Sequence, residues 1–282
     1  MGKSSLVLQG GGMRSMYTSG VLDAFLDNDI FINNIYAVSA GCYNALSYLS
    51  RQKGRTYRVN TTYLRDKRYI NFLNIFRNKS VINTDFIFNE VCDNLDPFDY
   101  EEFKRNCETL CAVSTNCETG EAYYAYIKDA KKDVQYIKAS AALPLFASLV
   151  NVGDMVLIDG GIGDSVPLCK AIDDGFVNNV VVLTRPKDYV MGKTKLMRLK
   201  KIKYKKYPNL VKSMKNRNFK YNKTMKLINQ LEDNGQIIVI RPKCSLNISN
   251  LEKDKKKIEK IYVMGYKDAL EKISIIKEFI QC

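Results

Sequence analysis

Ser5-Leu6-Val7-Leu8-Gln9-Gly10-Gly11-Gly12 is a short apolar run ended by three glycines, the pattern of a buried strand that turns sharply. From Met13 onward, Met16, Tyr17, Val21, Leu22, Phe25 and Leu26 recur every three or four residues, which gives a helix one apolar face. Residues 33–39 return to strand character with Ile35, Tyr36 and Val38, and the chain from Gly41 through Tyr43, Ala45, Leu46 and Leu49 is helical again. Strand, helix, strand, helix in such close succession implies a parallel sheet with helical crossovers, an α/β fold.

The pattern continues downstream. Residues 51–106 are charged and rich in Tyr and Phe, with helical spacing over 84–95, and are expected to cover a sheet edge or the site. Residues 110–114 and 122–127 read as two strands of a hairpin turning at Asn116-Cys117-Glu118-Thr119-Gly120. Residues 139–153 are uncharged but interrupted by Pro144; they fall short of the roughly 20 apolar residues of a membrane span and read as buried core. Residues 155–158 form a strand running into Asp159, 171–175 close a helix at Gly175, and 179–183 form a β-branched strand buried on both faces. A further strand is expected at 236–240 and one final amphipathic helix over 258–280.

With 282 residues and 46% hydrophobic composition, the chain can build one large domain or a domain with an appendage. Charge divides it. Residues 1–185 hold 19 Lys and Arg against 21 Asp and Glu, whereas residues 186–282 hold 25 against 9. Within the second part, Lys193 to Lys226 spans fourteen basic residues and no acidic one, interleaved with Tyr204, Tyr207, Phe219 and Tyr221. Such a block is a footprint for a polyanion, an anionic lipid surface or a nucleic acid, unless it is simply a solvated face. The expected division is a catalytic domain over 1–185 and a basic C-terminal extension over 186–282, packed on it.

Residues 1–5 pass into the first strand without a signal-peptide pattern, and Leu6 breaks the myristoylation pattern. The expectation is a cytoplasmic protein with its eight cysteines reduced. Cys107, Cys111 and Cys117 cluster, but their spacing is irregular and no histidine can join them. Small buried hydrophobes account for them better than zinc, and no metal or cofactor is expected.

The chain contains no histidine at all. A Ser-His-Asp triad needs an imidazole to take the serine proton, so a nucleophilic serine here needs another base. Ala37-Val38-Ser39-Ala40-Gly41 puts a serine between strand and helix with small residues around it, the requirement of a cramped elbow that exposes the hydroxyl at a helix N-terminus. Gly10-Gly11-Gly12 can point backbone amides into one concavity, an oxyanion hole or a phosphate cradle. The nucleotide versions fit poorly, because no Gly-Lys-Ser/Thr follows and Ser15 stands at the last glycine of the dinucleotide fingerprint. Arg14 adds a cation that can shape the loop or neutralise a phosphate. In Val156-Leu157-Ile158-Asp159-Gly160-Gly161 an acid ends an apolar strand and precedes a permissive turn, where open α/β sheets put their sites. Asp159 is the leading base if desolvation raises its pKa; Asp154 and Asp164 are rivals that do not directly end the apolar run. Each motif alone fits an ordinary turn.

Taken together, Gly10-Gly11-Gly12-Met13-Arg14, Ser39-Ala40-Gly41 and Asp159-Gly160-Gly161 resemble, in order and separation, the signature blocks of patatin-like phospholipases, over about residues 5–185. The resemblance implies a three-layer α/β fold with a mainly parallel central sheet flanked by helices. It implies Ser39 as nucleophile, Asp159 as general base and the amides of Gly10, Gly11 and Gly12 as oxyanion hole. The implied activity is hydrolysis of fatty-acyl esters of phospholipids or related lipids, without a metal or cofactor. Ala37 replaces the first elbow glycine and Ser15 the glycine that commonly follows the arginine, which bears on efficiency more than on identity. An acyltransferase with the same dyad, or a non-catalytic protein binding anionic lipid or nucleic acid, are the alternatives. The expected partners are an acyl-ester substrate and, through residues 193–226, the surface of an anionic membrane, with nucleic acid disfavoured.

Overall fold

In a computed structural model of the chain, which describes residues 3–69, 71 and 80–281, the first strand is central. β1 (Ser4–Leu8) pairs in parallel with β2 (Asn34–Val38) on one side, Leu8 opposite Ala37, and with β7 (Asn178–Val182) on the other, Leu8 opposite Val182. Being inside the sheet with both faces covered is why β1 is apolar without alternation. The remaining strands are β3 (Thr109–Asn116), β4 (Ala122–Ile127), β5 (Val150–Val152), β6 (Met155–Asp159) and β8 (Ile237–Ile240). The order is β5-β6-β3-β2-β1-β7-β8, with β4 paired to β3. β1, β2, β3, β7 and β8 run parallel; β4 and β6 pair antiparallel with β3, and β5 with β6. From β1 the chain moves to one side through β2 and β3 and later fills the other side with β7 and β8. The glycine loop therefore follows the strand at which the sheet order switches direction, where α/β sheets open a crevice.

Alternate side chains of β1 enter two cores. Leu6 and Leu8 join Ile35, Ala37, Leu110 and Ala112 under α1 (Met16–Asp27), α2 (Ala40–Leu49), α3 (Arg55–Tyr63) and a π-helical segment, Phe86–Leu95. Val7 joins Tyr36, Cys111 and Val181 on the opposite face, under α6 (Leu168–Asp173) and α8 (Pro208–Asp233). Helix, sheet and helix make the three layers. A short helix, α4 (Tyr100–Asn106), precedes β3, and α5 (Val134–Ser140) precedes the site. A third apolar cluster joins Ile158 and Ile162 to Tyr204, Leu210 and Met214, at the junction of α7 (Met197–Lys203) and α8.

The basic half is built into this body. β8 extends the sheet beside β7. α9 (Lys255–Leu270) lies on α1 so closely that a methyl at Gly20 would come within 2.0 Å of the Tyr262 carbonyl oxygen, and one at Gly265 within 2.0 Å of that of Tyr17. Tyr17, Tyr262 and Tyr266 donate across this contact to Asp268, Asp23 and Asp27, each at 2.7 Å.

Two regions differ from the sequence reading. The final helix is two, because the chain turns after Leu270 and continues as α10 (Ile273–Gln281), with Lys272 Nζ donating to the Val239 carbonyl in the turn. No glycine or proline marks that break. The segment read as buried core, 139–153, is buried only in part: it ends α5, bends, and forms β5, with Leu143, Pro144 and Phe146 lining a cleft while Ala142 and Ala147 stay buried. For 51–106, expected on a sheet edge or at the site, the second alternative holds: residues 51–69 and 80–106 pack over the helices, and Thr56, Asn60, Tyr69 and Ile82 line a small cavity beside Ser39. Cys282, read as a thiol, lies outside the described residues.

Candidate active site

β2 ends at Val38 and α2 begins at Ala40, leaving Ser39 alone to turn the chain. Its φ of 55° and ψ of −127° are far from the ordinary regions for a residue with a side chain, a conformation costing about 1–3 kcal/mol that the surroundings must hold. They do so locally. Ser39 N–H donates to Ser140 Oγ at 2.8 Å, and that hydroxyl donates to the Val113 carbonyl, tying the elbow to β3 and α5. Cys42 N–H closes the first turn of α2 on the Ser39 carbonyl at 2.9 Å.

The register of β3 brings the acid to the elbow. β4 occupies one edge of β3 over 110–115, so β2, over 109–113, and β6, over 114–116, must share the other. Val38 stands opposite Val113 and Asp159 opposite Ser114. A straight β2 would put Ser39 on the rung that Asp159 already fills; the positive φ turns the serine aside, and the two side chains meet. Asp159 is 4% exposed. Its Oδ1 accepts Gly161 N–H at 2.9 Å, and its carbonyl accepts Thr115 Oγ1 at 2.8 Å. Oδ2 is buried without a hydrogen-bond partner among the described residues. Burial pushes the carboxyl above its ordinary value. The Arg217 guanidinium, the Ser39 hydroxyl, Gly161 N–H and Lys200 pull the other way, without cancelling the effect of burial.

The glycine loop runs against this pair. A methyl on Gly10 would lie 2.9 Å from Ser39 Cβ. Gly12 has φ +56°, and a methyl there would lie 2.5 Å from the Asn250 carbonyl oxygen. The loop's carbonyls are all engaged: Gly10 by Thr184 Oγ1 at 3.1 Å, Gly11 by Arg14 N–H at 3.2 Å, and Gly12 by Ser15 Oγ at 2.7 Å. Its amides are not. Among the described residues, the N–H groups of Gly10, Gly11 and Gly12 have no acceptor. Gln9 anchors the loop by accepting Thr184 N–H at 2.7 Å and donating to Tyr221 at 3.1 Å. Ser15, where a glycine is common, thus ties the loop to itself.

Ser39, Asp159, the three glycines and Arg14 all line one cleft of about 630 Å³. Two smaller cavities continue inward. One of about 50 Å³ shares Ser39 and Gly12 with the cleft and is walled by Met13, Met16, Ala40, Tyr43, Ile82 and Leu143. The next, about 40 Å³, shares Tyr43, Thr56, Asn60 and Tyr69 with it and ends among Phe88, Phe98 and Tyr100. The rivals to Asp159 are elsewhere: Asp154 is exposed beside the β5–β6 turn, and Asp164 accepts from Tyr124 at 3.0 Å. Among the described residues, no three His, Cys, Asp or Glu side chains gather as for a metal ion.

Sequence reasoning missed several contributors. Gln9, a polar residue ending an apolar strand, carried a local signal; Ser140, Thr184 and Asn250 carried none. Arg217 stood within the basic run, undistinguished from its neighbours, yet its Nε donates to the Gly161 carbonyl beside the acid.

A family model described as "Patatin-like phospholipase" matches residues 6–172, and a second, "Domain of unknown function (DUF6363)", matches residues 207–281. The uncharacterized protein YjjU of Escherichia coli (strain K12) is 28% identical over 192 residues, which cover 66% of this chain and 53% of that protein. The chain thus spans about half the length of that curated relative. The structure of VipD from Legionella pneumophila superposes with a TM-score of 0.53 at 12% identity, covering 97% of this chain and 67% of that one, a likeness of fold.

Proposed function

The chain belongs to the patatin-like phospholipase family, and from that premise we propose that it is a lipid acyl hydrolase in which Ser39 is the nucleophile and Asp159 the only base. Ser39 Oγ attacks the ester carbonyl carbon while its proton passes to Asp159 Oδ2. The carbonyl electron pair collects on the oxyanion, which the amides of Gly10, Gly11 and Gly12 receive. Collapse breaks the bond to the alcohol, which leaves with the proton from Asp159. Water then attacks the acyl-enzyme by the same path and frees the fatty acid.

The observation that carries this reading is the vacant Oδ2 of a buried, raised-pKa carboxylate beside a strained serine. A base needs an open acceptor and a pKa drawn toward working pH, whereas a structural turn aspartate would spend both oxygens on its own backbone. The mostly apolar lining of the small cavity at Ser39 suits the carbons next to the ester carbonyl. Residues 1–185 carry the chemistry in this reading, and residues 186–282 carry the approach to the lipid. Val190, Leu196, Leu199 and Ile202 are exposed among Lys193, Lys195, Lys201 and Lys203, a combination suited to an anionic bilayer surface. No helix among the described residues is long and apolar enough to cross a membrane.

A fluorophosphonate probe read by intact mass tests the assignment. One adduct is expected on the wild type and none on Ser39→Ala; a folded wild type that takes no adduct would overturn it. Product analysis with added glycerol or lysolipid separates hydrolysis from acyl transfer.

A further inference from the structure

The cleft beside Ser39 is strongly cationic. Arg14, Arg185, Lys193, Lys195, Lys200 and Arg217 line it, and Asp159 is the one carboxylate among its lining residues. None of the three arginines forms an ion pair among the described residues. Arg14 Nε is buried with no acceptor among the described residues, and burial, with Arg185 and Arg217 nearby, depresses the pKa of the Arg14 guanidinium to about 10. Unneutralised like charges gathered around a buried donor want an anion.

The side chains are also held in place. Arg185 lies over the Tyr189 ring at 4.4 Å, and Tyr189 packs edge-on to Tyr221, whose hydroxyl accepts from Gln9. Arg217 is pinned by the Gly161 carbonyl. Their planar donors suit the oxygens of a phosphate better than a diffuse lysine surface does. Resting on the reading of Ser39 as an acyl-ester nucleophile, we infer that Arg14, Arg185 and Arg217 form a subsite for the phosphate of the substrate's headgroup, and that the cleft selects phospholipids whose headgroup carries no cation. A choline or ethanolamine group would meet cations on every side and no carboxylate apart from the base itself. Arg185 and Arg217 both lie beyond the residues matched by the family model, and Arg217, on α8, brings the C-terminal half to the site that the N-terminal half begins.

The test separates this subsite from the hydrolase reading by using Ser39→Ala, which cannot turn over. Calorimetry with glycerol 3-phosphate should show saturable binding, weakened at least fivefold by Arg185→Gln and by Arg217→Gln and less by Arg185→Lys, in variants whose thermal melts show them folded. Glycerophosphocholine should bind at least fivefold more weakly than glycerol 3-phosphate. In mixed micelles, the ratio of kcat/KM for phosphatidylglycerol to that for phosphatidylcholine should exceed one in the wild type and fall at least fivefold in Arg185→Gln. Absent glycerol 3-phosphate binding, or binding indifferent to both Gln variants, overturns the subsite. Inorganic phosphate binding as tightly as glycerol 3-phosphate, with no preference in the micelle assay, would make it a free-phosphate site and overturn the headgroup assignment. A wild type labelled by fluorophosphonate without phosphate binding sinks the subsite alone; phosphate binding without labelling sinks the hydrolase reading alone.

Discussion

The two halves of the chain contribute to one cleft by different means. Residues up to 185 supply the proposed reacting groups from turns: a glycine loop with idle amides, a strained elbow, and an acid at a strand end. Residues after 185 supply cations on long side chains, Arg217 and Lys200 among them, that bias the charge of the acid without touching the serine. On the proposed mechanism, reactivity is then a matter of backbone geometry, and substrate preference a matter of charge placement. Damage to the turns should abolish turnover, and loss of the cations around the cleft should redirect or weaken it.

The largest effects should follow loss of the pair itself. Ser39→Ala and Asp159→Asn should each lower kcat by about 10⁴-fold or more, and the double variant should be no worse than the poorer single one, because the two act as a unit. A steady-state assay on a soluble ester checks this; additive losses would break the pair apart. Next comes the loop. Gly12→Ala, whose methyl would meet the Asn250 carbonyl, should cost about 10²–10³ in kcat if the amides hold the oxyanion, with KM changed far less.

The basic half should respond more gently. Lys201, Lys205 and Lys206 are exposed and do not line the cleft. Replacing them with Gln should weaken flotation with anionic liposomes by up to about fivefold per lysine, an effect that fades as salt rises. Equal binding to neutral liposomes would assign the attachment to the exposed apolar residues instead.

The smallest effect is on stability, and its sign is opposite to that on activity. Asp159 has its pKa raised by burial, so between the ordinary carboxylate value of about 4 and the raised one the folded protein binds the extra proton. The wild type therefore loses stability as pH rises through that window, and Asp159→Asn does not. By thermal melts, the variant should match the wild type below the window and be at least as stable above it. A variant clearly less stable at neutral pH would mean that the carboxylate is a structural anchor.

The same contrast governs what the sequence disclosed. Gly10 to Gly12, Ser39 and Asp159 were legible because each sits at the end of an apolar strand, and strand ends are visible in hydrophobic patterning. The hairpin at Gly120 was legible for a similar reason, since Asn116 caps it locally, accepting from Glu118 and Thr119. What escaped depends on long-range contact. Arg217 looks like any cation of its run until α8 lies across Gly161, and Thr184 is an ordinary strand-end residue until Gln9 meets it. The break between Leu270 and Ile273 has no local breaker, and β5 is a three-residue strand defined by its pairing with β6.

The central claim, that a carboxylate alone does a base's work, is met most directly by the pH dependence of acylation in a single-turnover assay. The chain has no histidine, and burial pushes the Cys42 thiol beside the elbow up to about 12. One ascending ionisation is expected, above the ordinary aspartate value, with the rate rising as Asp159 loses its proton and then level through neutrality, and this limb should be absent from the residual rate of Asp159→Asn. An Asp159→Asn protein that keeps both the rate and the limb would contradict it.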